Sequence, residues 1–271
     1  MVRFVADPRG PGEAASASAL EGCTLLIPSV SAGNVGQLAA DLAVAGLTLV
    51  RLGWLDDPEN CVLPVAGADA YNAPPPGKQL GTLNAGIEVF GHAGGVAAAA
   101  DKVCVVQIRA PVAPGMRGAF ASGLAGWATS VSAVRVVVLA SATPEGGQAR
   151  DGGTPKGLGF GSTLVLASPA AADVRAALED VPSAAILDGP IDELGLREGS
   201  LAVRLFRCLS ERDGLPVTLF ATLVADGDNI PDACSLVSIV SGSLCLGIRL
   251  DARPPPSWAA LYGSGPDVSL Y

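Results

Sequence analysis

The chain has 271 residues, 49% of them hydrophobic, and a mean hydropathy of +0.44. That composition excludes a disordered chain, and the length, about 1.8 times a usual domain, allows one large domain or two small ones with a full core. Seventeen Lys and Arg against 26 Asp and Glu leave a net charge of −9; that balance argues against nucleic-acid binding, which neutralises phosphates with basic side chains, and against an anionic membrane surface.

Residues 1–20 are small and polar with Pro and Gly, and read as a flexible leader without a basic n-region and apolar h-region. Residues 24–28 (TLLIP) read as a buried strand that runs through Ser31-Ala32-Gly33-Asn34 into a helix over 35–45. In that helix Val35, Leu38, Ala39 and Leu42 recur at helical spacing. A strand over 47–52 follows, then an irregular stretch, 53–81, containing a short apolar piece at 61–65. Further strands are predicted over 83–90, 103–108 and 135–140, with a helix over 116–131 between the last two.

Residues 144–163 are rich in Gly and read as a long loop. A strand over 164–167 and a helix over 170–178 come next, the latter led by Ser168-Pro169. An acidic stretch, 181–199, precedes a helix over 200–212 and a strand over 217–224. Asp226-Gly227-Asp228-Asn229 then turns into a helix opened by Pro231, with Ala233, Leu236, Val237, Val240 and Leu244 as its buried stripe. Strands that read as apolar runs and alternate with helices predict a mostly parallel sheet covered on both faces. The expected organisation is a leader (1–20), one three-layer α/β domain (21–253) and an extended C-terminal tail (254–271).

The catalytic inventory is poor. Gly33-Asn34-Val35-Gly36 sits where helix N–H groups could meet a ligand, yet neither a dinucleotide fingerprint nor a Walker loop is present, so tight helix–strand packing through glycine is the preferred reading. Asp226, Asp228 and Asp232 could do acid–base work or hold a cation. With no His, Lys or Arg nearby in sequence, helix capping is preferred. His92 is the one histidine, and no Gly-x-Ser-x-Gly elbow exists. No catalytic, metal or cofactor-binding residue is assigned. None of the six cysteines forms a Cys-x-x-Cys pair; Cys104, Cys208 and Cys245 sit in apolar runs. Scattered buried thiols suit a reducing compartment, so a cytoplasmic location is the expectation, with the nucleus open as well. No stretch reaches the ~18 uninterrupted apolar residues of a membrane span.

The tail concentrates large side chains. Three of the 12 aromatic residues fall in the last 14 positions, and Trp258, Leu261, Tyr262, Leu270 and Tyr271 are the candidate partner-binding residues. Residues 258–262 can pack back onto the domain. Beyond Gly263-Ser264-Gly265-Pro266, a bulky end with a free carboxylate suits insertion into another protein's pocket.

Together the motifs carry a resemblance. Thr24-Leu25-Leu26-Ile27-Pro28 and Gly33-Asn34-Val35-Gly36-Gln37-Leu38-Ala39 with Asp41-Leu42 look like the first signature of the proteasome assembly chaperone 2 family. Gly227-Asp228-Asn229-Ile230-Pro231-Asp232-Ala233 resembles the second, and Pro256-Ser257-Trp258 with Leu261 through Gly265 the third. Arg135-Val136-Val137-Val138-Leu139 is similar to a central strand of the same proteins. The resemblance runs from about residue 22 to the end, and implies that Gly33, Asn34, Gly36, Gly227, Asp228, Asn229 and Pro231 are structural. It implies a phosphorylase/hydrolase-like fold without the active site, and a non-enzymatic chaperone. Such a chaperone pairs with proteasome assembly chaperone 1, binds 20S proteasome α-subunits, promotes α-ring assembly and prevents off-pathway α-ring dimers. Related chaperones end in a hydrophobic–tyrosine–any tail; this chain ends Ser269-Leu270-Tyr271, with tyrosine last. The rival reading is a small-molecule phosphorylase- or hydrolase-type enzyme using the junctions at Asn34 and Asp228.

Overall fold

Successive side chains of a strand point to opposite faces, so a run that is apolar at every position needs cover on both sides. Four largely apolar strands are covered in this way and buried at nearly every position, Thr24, Gln107, Thr218 and Thr222 included: β2 (Thr24–Pro28), β7 (Val103–Ile108), β8 (Arg135–Ala142) and β11 (Val217–Leu223). They lie side by side in the order β7-β2-β8-β11, all parallel, as the centre of a nine-stranded sheet. The molecule is seen here as a computed structural model that describes residues 2–57, 59, 61–62, 67–68, 83–84, 86–92, 102–143, 158–187, 200–249, 255 and 258.

The flanks change direction. On one side β6 (Ile87–Gly91), β3 (Val50–Asp56) and β1 (Arg3–Ala6) add on antiparallel. On the other, β9 (Thr163–Ala167) runs antiparallel to β11, and β10 (Ala184–Ile186) runs parallel to β9. The sheet is therefore mixed, with the expected parallel arrangement at its centre. Both edge strands are short, which limits the unpaired backbone open to other chains. A separate two-stranded piece joins β4 (Gly67–Ala68) and β5 (Leu83–Asn84).

The helices divide by face. One core packs α1 (Glu13–Leu20), α3 (Arg117–Ser130) and α5 (Leu201–Ser210) against Leu25, Ile27, Val136, Val138 and Leu219. The other packs α2 (Val35–Gly46), α4 (Ala172–Leu178) and α6 (Ile230–Leu244) against Leu26, Val105, Val137, Leu139 and Phe220. Burying each such Leu or Phe contributes on the order of 2 kcal/mol. The helix α2 is buried nearly all round, because the sheet lies beneath it and α6, Ile248 and Trp258 join the same core. None of the helices among the described residues is long and apolar enough to cross a membrane.

Several expectations need correction. Residues 1–20 are not a loose leader: β1 pairs with β3 from Arg3↔Asp56 to Ala6↔Gly53, and α1 buries Ser16, Ala19 and Leu20. The strand placed at 47–52 begins at Val50, because Leu47 closes α2 and Thr48 takes a left-handed conformation at φ 53°. The strand placed at 83–90 divides into β5 and β6. Cys245, read inside an apolar run, is exposed as the left-handed C-cap of α6. All six cysteines are free thiols. Of the loop placed at 144–163, residues 144–157 lie outside the described residues, while 163 already belongs to β9.

Candidate functional site

Because β2, β8 and β11 are adjacent and parallel, the turns that follow β2 and β11 emerge at one sheet edge, on either side of the end of β8. The two glycine-containing motifs singled out in the sequence therefore meet. Gly33 and Asn34 are both left-handed, at φ 59° and φ 55°, within a short 3-10 turn (Ala32–Asn34) that leads into α2. A Cβ on Gly33 would sit 2.2 Å from Asn229 Nδ2, so the second motif presses its amide directly on the backbone of the first. Asn229 is buried, and its Nδ2 donates to the Gly227 carbonyl at 3.0 Å. The exposed Asp228 accepts from the Ile230 backbone N–H at 3.0 Å and so turns the chain into α6, where Pro231 occupies the first turn.

The first junction is also tied to β8. Ser141 donates its backbone N–H to Ser31 Oγ at 3.0 Å, and the two hydroxyls lie 2.9 Å apart. Ser141 Oγ donates to the Ala32 carbonyl, and Ser31 Oγ to the Ser29 carbonyl. Gly36 brings α2 against the strand: a Cβ there would lie 2.5 Å from the Leu139 carbonyl oxygen. Close helix–strand packing is thus the use of Gly36, and Asp228 serves as a capping acceptor. Asp232 is half-buried in the first turn of α6, and Asp226 is exposed ahead of it. His92 follows β6 and is half-buried. Among the described residues no three His, Cys, Asp or Glu side chains gather where they could hold a metal ion.

A second cluster, absent from the sequence reading, lies on the α2 face toward the antiparallel flank. Arg51 on β3 reaches Asp7 at 2.8 Å and Glu88 on β6 at 3.0 Å. Arg109, just after β7, reaches the other Glu88 oxygen at 3.1 Å and Asp41 of α2 at 3.3 Å. Gln107 donates to Asp41 at 2.6 Å and to the Gln37 carbonyl, while Gln37 Nε2 donates to the Ile108 carbonyl. Arg51 also stacks over Trp54 at 4.8 Å. Glu88 has no exposed surface. Burial pushes its carboxyl above the usual range, opposed by Arg109 and Arg51. Burial pushes Asp7 up as well, but the Arg9 backbone N–H and the Arg51 guanidinium outweigh it and hold the group below its ordinary value. One signal was available in the sequence: Asp41 is the single charged residue of α2, a helix whose only other polar side chain is Gln37.

The C-terminal candidates divide. Trp258 is 8% exposed, packs in the α2 core and donates Nε1–H to Asp41 Oδ2 at 3.2 Å. It belongs to the chain's own interior, a correction to its place among the partner-binding residues; the apolar ring is buried and its one polar atom satisfied there. Leu261, Tyr262, Leu270 and Tyr271 lie outside the described residues.

Comparison with known proteins adds four observations. Over 90% of this chain and 93% of the relative, it is 29% identical to proteasome assembly chaperone 2 of Danio rerio. It is 33% identical to the protein of that name from Nematostella vectensis, over 79% of this chain and 86% of the relative. Among solved structures, Pyrococcus furiosus PbaA, an archaeal homolog of proteasome-assembly chaperone, superposes with a TM-score of 0.60 at 17% identity, covering 92% of this chain and 84% of that one. That likeness concerns the fold. The profile of the PAC2 family matches residues 25–240, a span holding both junction motifs and the parallel centre of the sheet, and the chain belongs to the PAC2 family.

Proposed function

We propose that the protein is a proteasome assembly chaperone that acts by binding other polypeptides, without bond-making chemistry of its own. It pairs with proteasome assembly chaperone 1, engages 20S α-subunits, promotes formation of the α-ring and prevents off-pathway α-ring dimers. The observation that carries this reading is identity of 26–33% over most of their length to seven proteins named proteasome assembly chaperone 2. The packed junctions support it: Asn229 against Gly33 and Ser31 against Ser141 occupy the edge where an α/β enzyme commonly opens its cleft.

Two α/β domains of this size can form an interface of standard extent, ~1,600 Å² in total. The net charge of −9 favours a basic receiving surface on the α-subunits. Leu270 and Tyr271 are the terminal contacts in this scheme, and the cytoplasm is the site of action. Capture from native extract with the full-length chain as bait tests the reading: chaperone 1 and α-subunits are expected among the retained proteins. Deleting 268–271 should deplete the α-subunits and leave chaperone 1. Undiminished α-subunits in the truncated sample count against docking through the tail.

A further inference from the structure

We propose that Phe160 and Asp226 form a docking surface for a lysine- or arginine-bearing segment of a 20S α-subunit, at the sheet edge where the two junction motifs meet. This rests on the reading that the chain engages α-subunits, and goes beyond it by naming a contact on the folded domain and the chemistry that it takes.

Aromatic residues are scarce in this chain, 4% of the total, and phenylalanine is ordinarily buried. Of the six phenylalanines, Phe90, Phe120 and Phe220 are buried, and Phe4 and Phe206 are half-buried. Phe160 is 68% exposed, more than any other large hydrophobic side chain among the described residues. Its backbone is nonetheless pinned. The Ser162 N–H donates to the Gly159 carbonyl at 3.1 Å and closes a turn whose third residue, Gly161, is left-handed at φ 82°. The Gly161 N–H donates to the Leu223 carbonyl at 2.7 Å, and the Leu223 N–H to the Ser162 carbonyl at 2.8 Å. On the other side Leu158 packs on the core beneath α3 and α5. The ring thus stands at the corner of a turn that is fastened at both ends. With only two side-chain torsions to fix, a partner that uses it loses little entropy.

The turn sits beside the second junction. β9 runs antiparallel to β11 with Thr163 opposite Thr222, and the bonds to Leu223 carry that ladder one step further. Phe160 is therefore level with the turn after β11, where Ala225, Asp226, Gly227 and Asp228 are all exposed. Gly33 and Asn34 are exposed at the same edge, across the end of β8. The stretches that make up this edge, 29–36, 141–143, 158–163 and 223–230, contain Asp226 and Asp228 and neither Lys nor Arg. Asp228 is engaged in turning the chain into α6, so Asp226 is the carboxylate assigned to the partner.

An aromatic face beside a carboxylate takes a cation. Both attract it, and the apolar stem of a Lys or Arg can lie along the ring. The surface is too small and too polar to be the core of a permanent pair, which is larger and more apolar. It suits a client that is bound and then released, which favours an α-subunit over chaperone 1 as the occupant. The net charge of −9 acts in the same direction by steering a basic surface toward the chain.

The test uses the full-length chain co-expressed with chaperone 1, with capture of α-subunits titrated at several salt concentrations. Phe160→Ala should weaken capture about ten-fold, Phe160→Leu nearly as much, and Phe160→Tyr should leave it close to wild type. Asp226→Lys should weaken it several-fold at low salt and less as salt rises. Phe160→Ala and Asp226→Lys together should lose less than the product of their separate effects, because both act on one cation. Melting temperature and pairing with chaperone 1 should stay at the wild-type level. Val134→Ala, at an exposed apolar residue just before β8 and so at the opposite edge of the sheet, should change nothing. Undiminished capture by Phe160→Ala, with the wild type still retaining α-subunits, overturns the proposal and leaves the chaperone reading standing. A wild type that retains no α-subunits removes that reading and the proposal with it. Full capture by Phe160→Leu makes the residue an apolar knob that meets no cation, and overturns the proposal. So does an equal loss in Val134→Ala, which means general apolar adhesion. Loss of chaperone 1 makes this edge the dimer interface, a lower melting temperature makes Phe160 part of the chain's own packing, and self-association abolished by Phe160→Ala makes a second copy the occupant; each of these overturns it.

Discussion

At the level of single residues, the two motifs act on each other. Gly33 is left-handed and faces the Asn229 amide, so Gly33→Ala adds strain and overlap together; a cost of roughly 2–4 kcal/mol is expected from urea unfolding. Asn229→Ala removes the obstructing amide, and the double variant should lose less than the sum of the single ones, a coupling that a double-mutant cycle measures directly. The ion-pair chain makes a second prediction. Asp7 titrates below its ordinary value of 3.8 in the folded chain, so its contribution is present above that pH and is lost as pH falls through the folded value. Glu88 has the opposite sign: its folded carboxyl binds a proton more readily than the unfolded one, so its contribution weakens as pH rises from the ordinary value of 4.5 through the raised one. Thermal melting between pH 3 and 7 should show Asp7→Asn with a shallower acid limb than the wild type. Glu88→Gln should show the opposite trend, its deficit relative to the wild type shrinking as pH rises toward 7, because only the wild type loses stability as Glu88 ionises.

At the level of elements, legibility followed periodicity. The strands β2 and β7 fall where the sequence places them, because a short, largely apolar run between turn residues is readily read as a strand of a covered sheet. The helix α5 carries a wide apolar stripe and an N-cap, Ser200 Oγ accepting from the Val203 N–H, both readable in advance. By contrast α1 (EAASASAL) has small residues on every side, and β1 (RFVA) is four residues long; neither shows a period. Their order comes from partners distant in sequence: β3 for β1, and the β6 side of the sheet for α1. Deleting residues 2–10 should therefore cost stability despite the unpromising sequence. It removes Asp7 from Arg51 and uncovers the β3 edge. A lower melting temperature and a greater tendency to aggregate in light scattering are expected; an unchanged melting curve would show that β1 adds nothing.

For the whole molecule, the class of fold was readable from alternating apolar strands and helices, and the meeting of Gly33-Asn34 with Asp228-Asn229 follows once β2 and β11 are placed on either side of β8. The ion-pair chain was not readable: Asp7, Asp41, Arg51, Glu88 and Arg109 are spread over a hundred residues and become neighbours only through the order β1-β3-β6-β7. Trp258 was legible as a large group with an ambiguous allegiance, and its partner, Asp41, lies 217 positions away. The picture that results is an α/β body whose two junctions pack against each other and whose Trp258 is buried against α2. Its central claim is tested most directly by co-expressing the full-length chain with proteasome assembly chaperone 1 and 20S α-subunits and resolving the mixture by size-exclusion chromatography with mass detection. The account predicts co-elution of all three, with α-subunits lost and chaperone 1 retained when 268–271 are deleted. A chain that elutes alone, with neither chaperone 1 nor α-subunits, contradicts it.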